Sequence, residues 1–332
     1  MKKILLVMTA VLASMTVCAQ QIAVVKGGET KVYNTLKDAI DGAESGSVLY
    51  LPGGSFPIAD ADTIRKKLTI IGITHKANSD NVDGRTTISG NLFFDEDSNG
   101  SALMGCYVTG NVNIGLKTAV NDILLRYNNM NSVVVKNQGC RNIEINQNYI
   151  RNSSDLGKCN AKITNNILHS LQNVNGGTVM HNIITSYFTI RYSSVTINCY
   201  FMSADNSIIT NNVFLQSGSS FSGAYYWRQF TGSNNEVIGN MLCNQNWGTD
   251  CINVKDDWSK VFEKNAGVNT TSKYHFIDDY KEYEGKLGIY AGTGFSEGAL
   301  PPVPYIKECQ VDEQTDAEGK LKIRINVKAM TE

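Results

Sequence analysis

The side chains best suited to chemistry in this 332-residue chain lie in a stretch rich in glycine and serine, Ser217 to Asn234. Within it, Tyr225, Tyr226, Trp227 and Arg228 follow one another. Aromatic rings stack on the C–H faces of sugars, and an arginine grips a carboxylate through two parallel hydrogen bonds. Trp247, in the run Trp247-Gly248-Thr249-Asp250, extends the same patch. These five residues form a candidate substrate-binding set. The competing reading is that the rings cover the flank of the fold.

Catalytic groups are harder to find. Lys136, Arg191 and Arg228 are candidate bases for proton abstraction, but no acidic cluster keeps pace with them along the chain. Glycoside hydrolysis calls for a close pair of carboxylates, and no such pair falls on a repeating strand. His169 and His181 are offset differently from their neighbouring asparagines and read as surface or coil-packing residues. The run Asp95-Glu96-Asp97-Ser98-Asn99-Gly100 matches the first half of a calcium loop, with Asp95, Asp97 and Asn99 at alternate positions and glycine sixth. Cys106 stands where such a loop needs its bidentate glutamate, so a solvated acidic turn competes with a calcium site.

These candidates hang on a repeat between residues 123 and 242 of the form apolar, any, apolar, any, any, Asn, any, apolar. Its asparagines are Asn128, Asn148, Asn166, Asn182, Asn198, Asn212 and Asn240, stepping by 20, 18, 16, 16, 14 and 28 residues. A short repeat of alternating strands with a fixed polar corner signals a solenoid. Asparagine tolerates left-handed backbone at a corner, and stacked amides hydrogen-bond in a row. The ladder therefore reads as scaffold, and the aromatic run falls at its longest step, Asn212 to Asn240.

Upstream, Ile22 to Val25 reads as a strand ended by Gly27-Gly28. Asn34 or Thr35 can cap a short helix with Leu36, Ala39, Ile40 and Ala43 on its apolar face, and Ser47 to Leu51 is the next strand. The helix would cover the first open coil. The phrases Tyr33-Asn34-Thr35-Leu36-Lys37-Asp38-Ala39-Ile40, Gly46 to Phe56 and Leu68-Thr69-Ile70-Ile71-Gly72 resemble the opening of pectin-lyase-like proteins. The resemblance extends over residues 22–295, where Leu287 to Phe295 is similar to the glycine-rich endings of secreted bacterial members. It implies a single right-handed parallel β-helix over residues 20–300, with a substrate groove walled by loops that interrupt the coils. The family spans lyases, hydrolases, epimerases and adhesins, so it points to no single reaction.

The flanks complete the plan. Lys2 and Lys3, the apolar run Ile4 to Val17 and the small Ala19 read as a signal peptide over residues 1–19, cleaved before Gln20. Val17 suits lipid attachment at Cys18 poorly, so ordinary secretion is expected. The leader is too short to span a bilayer and no later run is long enough. The net charge of −1 argues against a nucleic-acid partner. Seven cysteines remain after Cys18, an odd number without a CxxC pair; Cys140 and Cys159 read as buried stacking residues, while Cys243 and Cys251 could close a short loop. After a stiff Pro301-Pro302-Val303-Pro304 linker, residues 301–332 should end in a β-hairpin turning at Asp316 to Gly319. The expectation is a secreted β-helix that binds, and in one version processes, a complex or acidic polysaccharide. The alternatives are an active lyase or hydrolase, with calcium as a conceivable cofactor, and a non-enzymatic adhesive solenoid.

Overall fold

The computed structural model describes residues 21–76, 84–185, 187–189, 198–200, 202–215, 230–243, 247–254, 261–263, 274–298, 300–302, 305–311 and 323–328. Residues 1–20, where the signal peptide is expected, the aromatic run 225–228 and Arg191 therefore lie outside the described residues.

The chain folds as a parallel β-helix. Ile22–Lys26 pairs antiparallel with Glu29–Tyr33 across Gly27 and Gly28. Thr35 then caps the helix Leu36–Gly42, its hydroxyl accepting from the Asp38 amide at 3.1 Å. Leu36, Ala39 and Ile40 turn inward and seal the first coil.

Each coil contributes a strand to a first sheet. From Ser47–Leu51 through Leu68–Gly72, Ala102–Met104, Leu124–Arg126, Ile143–Asn146, Ala161–Thr164, Thr178–Met180 and Ile208–Thr210 to Glu236–Ile238, neighbours pair in parallel. In-register stacking lines up Leu49, Ile70, Leu103, Leu125, Ile145, Ile163, Val179, Ile209 and Val237, all buried. Removing one such side chain from water contributes roughly 1.5–3 kcal/mol. A second sheet stacks Ile150, Leu168, Ile184, Phe214 and Leu242 inward in the same way.

The corner between the sheets holds the asparagine ladder. Asn128, Asn148, Asn166, Asn182, Asn212 and Asn240 are each fully buried. Within it, the backbone N–H of Asn148 donates to Oδ1 of Asn166 at 2.8 Å, and the amide of Asn148 donates to Leu125 O at 2.8 Å and Asn166 Oδ1 at 3.1 Å. The same pattern repeats from coil to coil, so a polar row inside an apolar wall has its needs met. Cys106 occupies the slot before Asn128, whose Oδ1 accepts from the Cys106 backbone at 3.0 Å.

Two expectations about this corner are corrected. The left-handed residue is the one before each ladder asparagine: Tyr127, Gln147, Asn165, His181 and Asn211 have φ between 54° and 58°, and Gly239 has φ 63°. The ladder asparagines serve through their amides, not their backbone freedom. Asn198 is also not a ladder member. Asn182 bonds directly to Asn212, and Asn198–Tyr200 pairs antiparallel with Tyr187–Thr189 as a hairpin between two ladder coils. The sequence around Asn198–Tyr200 imitates the pattern because a hairpin strand alternates with the same period of two.

The rhythm therefore breaks twice. One excursion leaves after Thr185 and rejoins at Met202–Asp205; the next leaves after Leu215 and rejoins at Phe230–Thr231, which pairs with Met202 and Ser203. Consecutive coils carry their excursions at the same corner.

The segment after the last coil folds back. Phe262, Tyr274, Phe276, Leu287, Ile289 and Phe295 cover the outer apolar column Tyr149, Ile167, Ile183, Val213 and Met241 of the second sheet, forming a second core. Near the end, Tyr305–Val311 and Ile323–Lys328 pair antiparallel as the expected hairpin; its turn at 316–319 lies outside the described residues. Among the described residues no helix is long and apolar enough to cross a membrane.

Candidate functional site

Residues 287–301 form a strap along the left-handed corner, and the side chains of that corner hold it. Asn165 Nδ2 donates to Ile289 O at 2.9 Å and Ala291 O at 2.7 Å, while its Oδ1 accepts from Thr293 Oγ1 at 3.2 Å. Gln147 Oε1 accepts from the Ser296 backbone at 2.7 Å, and Gly288 donates to Asn211 O at 3.0 Å. Gly292, at φ 61°, lies against the His181 ring, where a Cβ would come within 3.0 Å of Cδ2. Farther along, Pro301 packs against Gly105.

Between this strap and the outer face of the first sheet runs a groove of about 790 Å³. Its floor carries two columns of outward side chains set by the strand register. One brings Glu144 beside Lys162, and the other stacks Arg126, Asn146, Thr164 and Met180. Tyr127, Gln147, Asn165 and His181 line the corner, and Gly292 to Ser296 form the wall. Asn146 Nδ2 donates to Thr164 Oγ1 at 2.7 Å, which fixes both on the floor. The Arg126 guanidinium lies 4.7 Å from the centroid of the Tyr127 ring.

The groove's charge is mixed and leans positive. Lys162 Nζ stands 3.7 Å from Glu144 Oε1 in an exposed pair. Such a pair adds little to stability and leaves the ammonium accessible. Burial lowers the pKa of His181, so its imidazole sits neutral at the back of the groove at pH 7, with Nδ1 enclosed and without a hydrogen-bond partner. Glu144 is the one carboxylate among the described lining residues. The described lining suits hydroxyl and carboxylate recognition and presents no pair of carboxylates.

The residues singled out from sequence fare differently. Tyr225, Tyr226, Trp227, Arg228 and Arg191 lie outside the described residues. Trp247 is not a free platform: its ring stacks on Phe230 at 4.0 Å and 18°, and meets Phe214 edge-on at 6.1 Å. It packs against the main core at the last coil, because a solenoid needs apolar closure at both ends. Lys136 is exposed, on a different face from the groove, and among the described residues no acidic side chain pairs with it.

The calcium reading is also replaced. Asp95 is buried, and its carboxylate accepts from the Lys117 backbone at 3.0 Å and from the Thr118 backbone at 3.0 Å. Burial alone would raise the Asp95 pKa, yet the backbone donors of Thr118, Glu96 and Lys117 hold it below its ordinary value. Asn99 Oδ1 accepts from the Asn121 backbone at 2.7 Å, and Asp97 is exposed. Asp95 and Asn99 join one coil to the next. Among the described residues no group of three acidic, histidine or cysteine side chains could hold a metal.

The described cysteines are free thiols. Cys106, Cys140 and Cys159 are buried, and burial pushes the thiols of Cys106 and Cys159 up to about 12. Cys251 is free, which corrects the expected loop closure with Cys243; its thiol donates to Trp247 O at 2.7 Å.

Arg126, Glu144, Asn146, Lys162 and Thr164 were missed in the sequence. Their signal was available, since they occupy the outward positions of the repeat, two residues and four residues before successive ladder asparagines. What no local pattern carried was the strap that turns this face into a groove. No protein-family model, curated protein or solved structure matches the chain.

Proposed function

We propose that this protein is a secreted β-helix of pectin-lyase-like type that binds an acidic polysaccharide along the groove between its first sheet and its C-terminal strap. The observation that carries the reading is the pairing of Arg126 and Lys162 with amide and hydroxyl side chains on one floor. Parallel strands lie about 4.8 Å apart, so outward side chains repeat along the axis on a scale that suits successive groups of an extended polymer. Guanidinium and ammonium groups answer carboxylates, and amides answer hydroxyls.

The binding reading stands ahead of hydrolysis because the groove presents Glu144 without a second carboxylate. Lyase chemistry would fall to His181 or Glu144, the lining groups able to take a proton there, with Lys162 as an ammonium beside them. Incubation with uronic-acid polymers, with and without added calcium, separates the cases. Binding without new products supports a binding protein, and unsaturated ends would assign a lyase. New saturated reducing ends would assign a hydrolase, and no binding to any acidic or neutral polymer would leave the adhesive solenoid.

A further inference from the structure

A second site lies on the outer face of the other sheet. In register, Thr87, Tyr107, Asn129 and Tyr149 stack across four coils. Arg85, two residues before Thr87, places its guanidinium 4.0 Å from the centroid of the Tyr107 ring. Arg151, two residues after Tyr149, reaches back along the solenoid axis and places its own 4.7 Å from the same centroid. Two cations thus share one phenol ring.

Among the described residues no carboxylate pairs with either guanidinium. Arg151 spends its donors on neutral oxygens: Nη2 donates to Val108 O at 2.8 Å and Thr109 O at 3.1 Å, and Nη1 donates to Asn129 Oδ1. Among the described residues neither Arg85 nor Arg151 forms an ion pair with a carboxylate, and the Arg85 guanidinium makes no hydrogen bond. Behind them His75 is 1% exposed with both ring nitrogens unpartnered, its ring edge-on to Tyr149 at 5.4 Å. Burial first, then the charge of Lys76 and of both arginines, drives the His75 pKa down to about 3. The region is held positive by a rigid frame.

We infer that Arg85, Arg151 and Tyr107 form a binding site for a doubly charged tetrahedral oxyanion of the phosphate type. Arg151 is locked by its backbone contacts and supplies fixed charge, and Arg85 has its donors free to close on the ligand. Two guanidiniums that no described carboxylate pairs with match a dianion better than a single carboxylate, which would leave one charge unanswered. The site is separate from the groove and does not depend on its occupant.

Two probes identify the source of the oxyanion: inorganic phosphate and glucose 6-phosphate. Titration calorimetry at low ionic strength should show one site for at least one probe, with affinity falling as salt rises. Arg85→Gln should weaken it at least tenfold without moving the melting temperature, because that side chain makes no hydrogen bond among the described residues. Lys162→Gln in the groove should leave it unchanged. Tighter binding of the sugar phosphate would mark a phosphorylated glycan as the ligand, and equal or tighter binding of inorganic phosphate would mark the free ion. Failure of both probes to bind, or unchanged affinity in Arg85→Gln, would overturn the site.

Discussion

Asn182 Nδ2 donates to Asn212 Oδ1 at 2.9 Å across 30 residues of sequence, and the backbone N–H of Asn182 donates to the same oxygen at 2.9 Å. The ladder thus steps over a whole hairpin without losing a rung. Its continuity, more than its spacing, makes the corner structural.

Removing a rung should cost far more than removing its imitation. In Asn182→Ala the backbone N–H of Asn166 loses its acceptor and Ile163 O loses its donor, both buried. Stranding several buried polar groups should cost about 4 kcal/mol in urea unfolding. Asn198→Ala, outside the ladder, should cost less than about 1 kcal/mol. Equal losses would contradict the assignment.

The strap depends on Asn165, which alone contributes three of its side-chain hydrogen bonds. Asn165→Ala should open residues 287–298 locally before the coils unfold. Limited proteolysis is expected to cut there in the variant and spare the wild-type segment. Cleavage at equal rates in both would show that the second core alone holds the strap.

Acid sensitivity follows from His75. Its folded pKa near 3 lies below the ordinary value of 6.5, so the unfolded chain binds the extra proton as pH falls through 6.5. The stability of the neutral buried form is complete above that value and is lost progressively below it. By pH 5 the loss should be about 2 kcal/mol. The lowered pKa of His181 acts in the same direction, whereas Asp95, with a depressed carboxylate, contributes only at more acid pH. His75→Leu should flatten the stability profile between pH 8 and pH 5, as read from urea midpoints. An unchanged slope would contradict the burial account.

Much of this fold was legible because its physics is local and periodic. Thr35, Leu36, Ala39 and Ile40 announced the capping helix, and alternation with a returning asparagine announced the coils. Two things escaped. Asn198 shows that a hairpin strand and a coil strand share a period of two, so register is decided by a partner distant in sequence. The groove depends on Gly292 to Ser296 packing beside Thr164 and His181, a contact between segments more than a hundred residues apart. Trp247 and Asp95 were read as surface chemistry because composition does not distinguish a ring that closes a core from one that meets a ligand. It likewise does not show that Lys117 and Thr118 fill the coordination of Asp95.

The groove itself is tested most directly by affinity for a uronic-acid polymer such as polygalacturonate, measured for the wild type, Lys162→Gln and Arg126→Gln. Lys162 is the cleaner site, since its side chain is 60% exposed and among the described residues pairs only with Glu144, at 3.7 Å. Loss of one cation should weaken binding about tenfold, or about 1.4 kcal/mol, with the melting temperature unchanged. Wild-type binding that persists undiminished in both variants would place the polymer elsewhere on the solenoid and contradict the account.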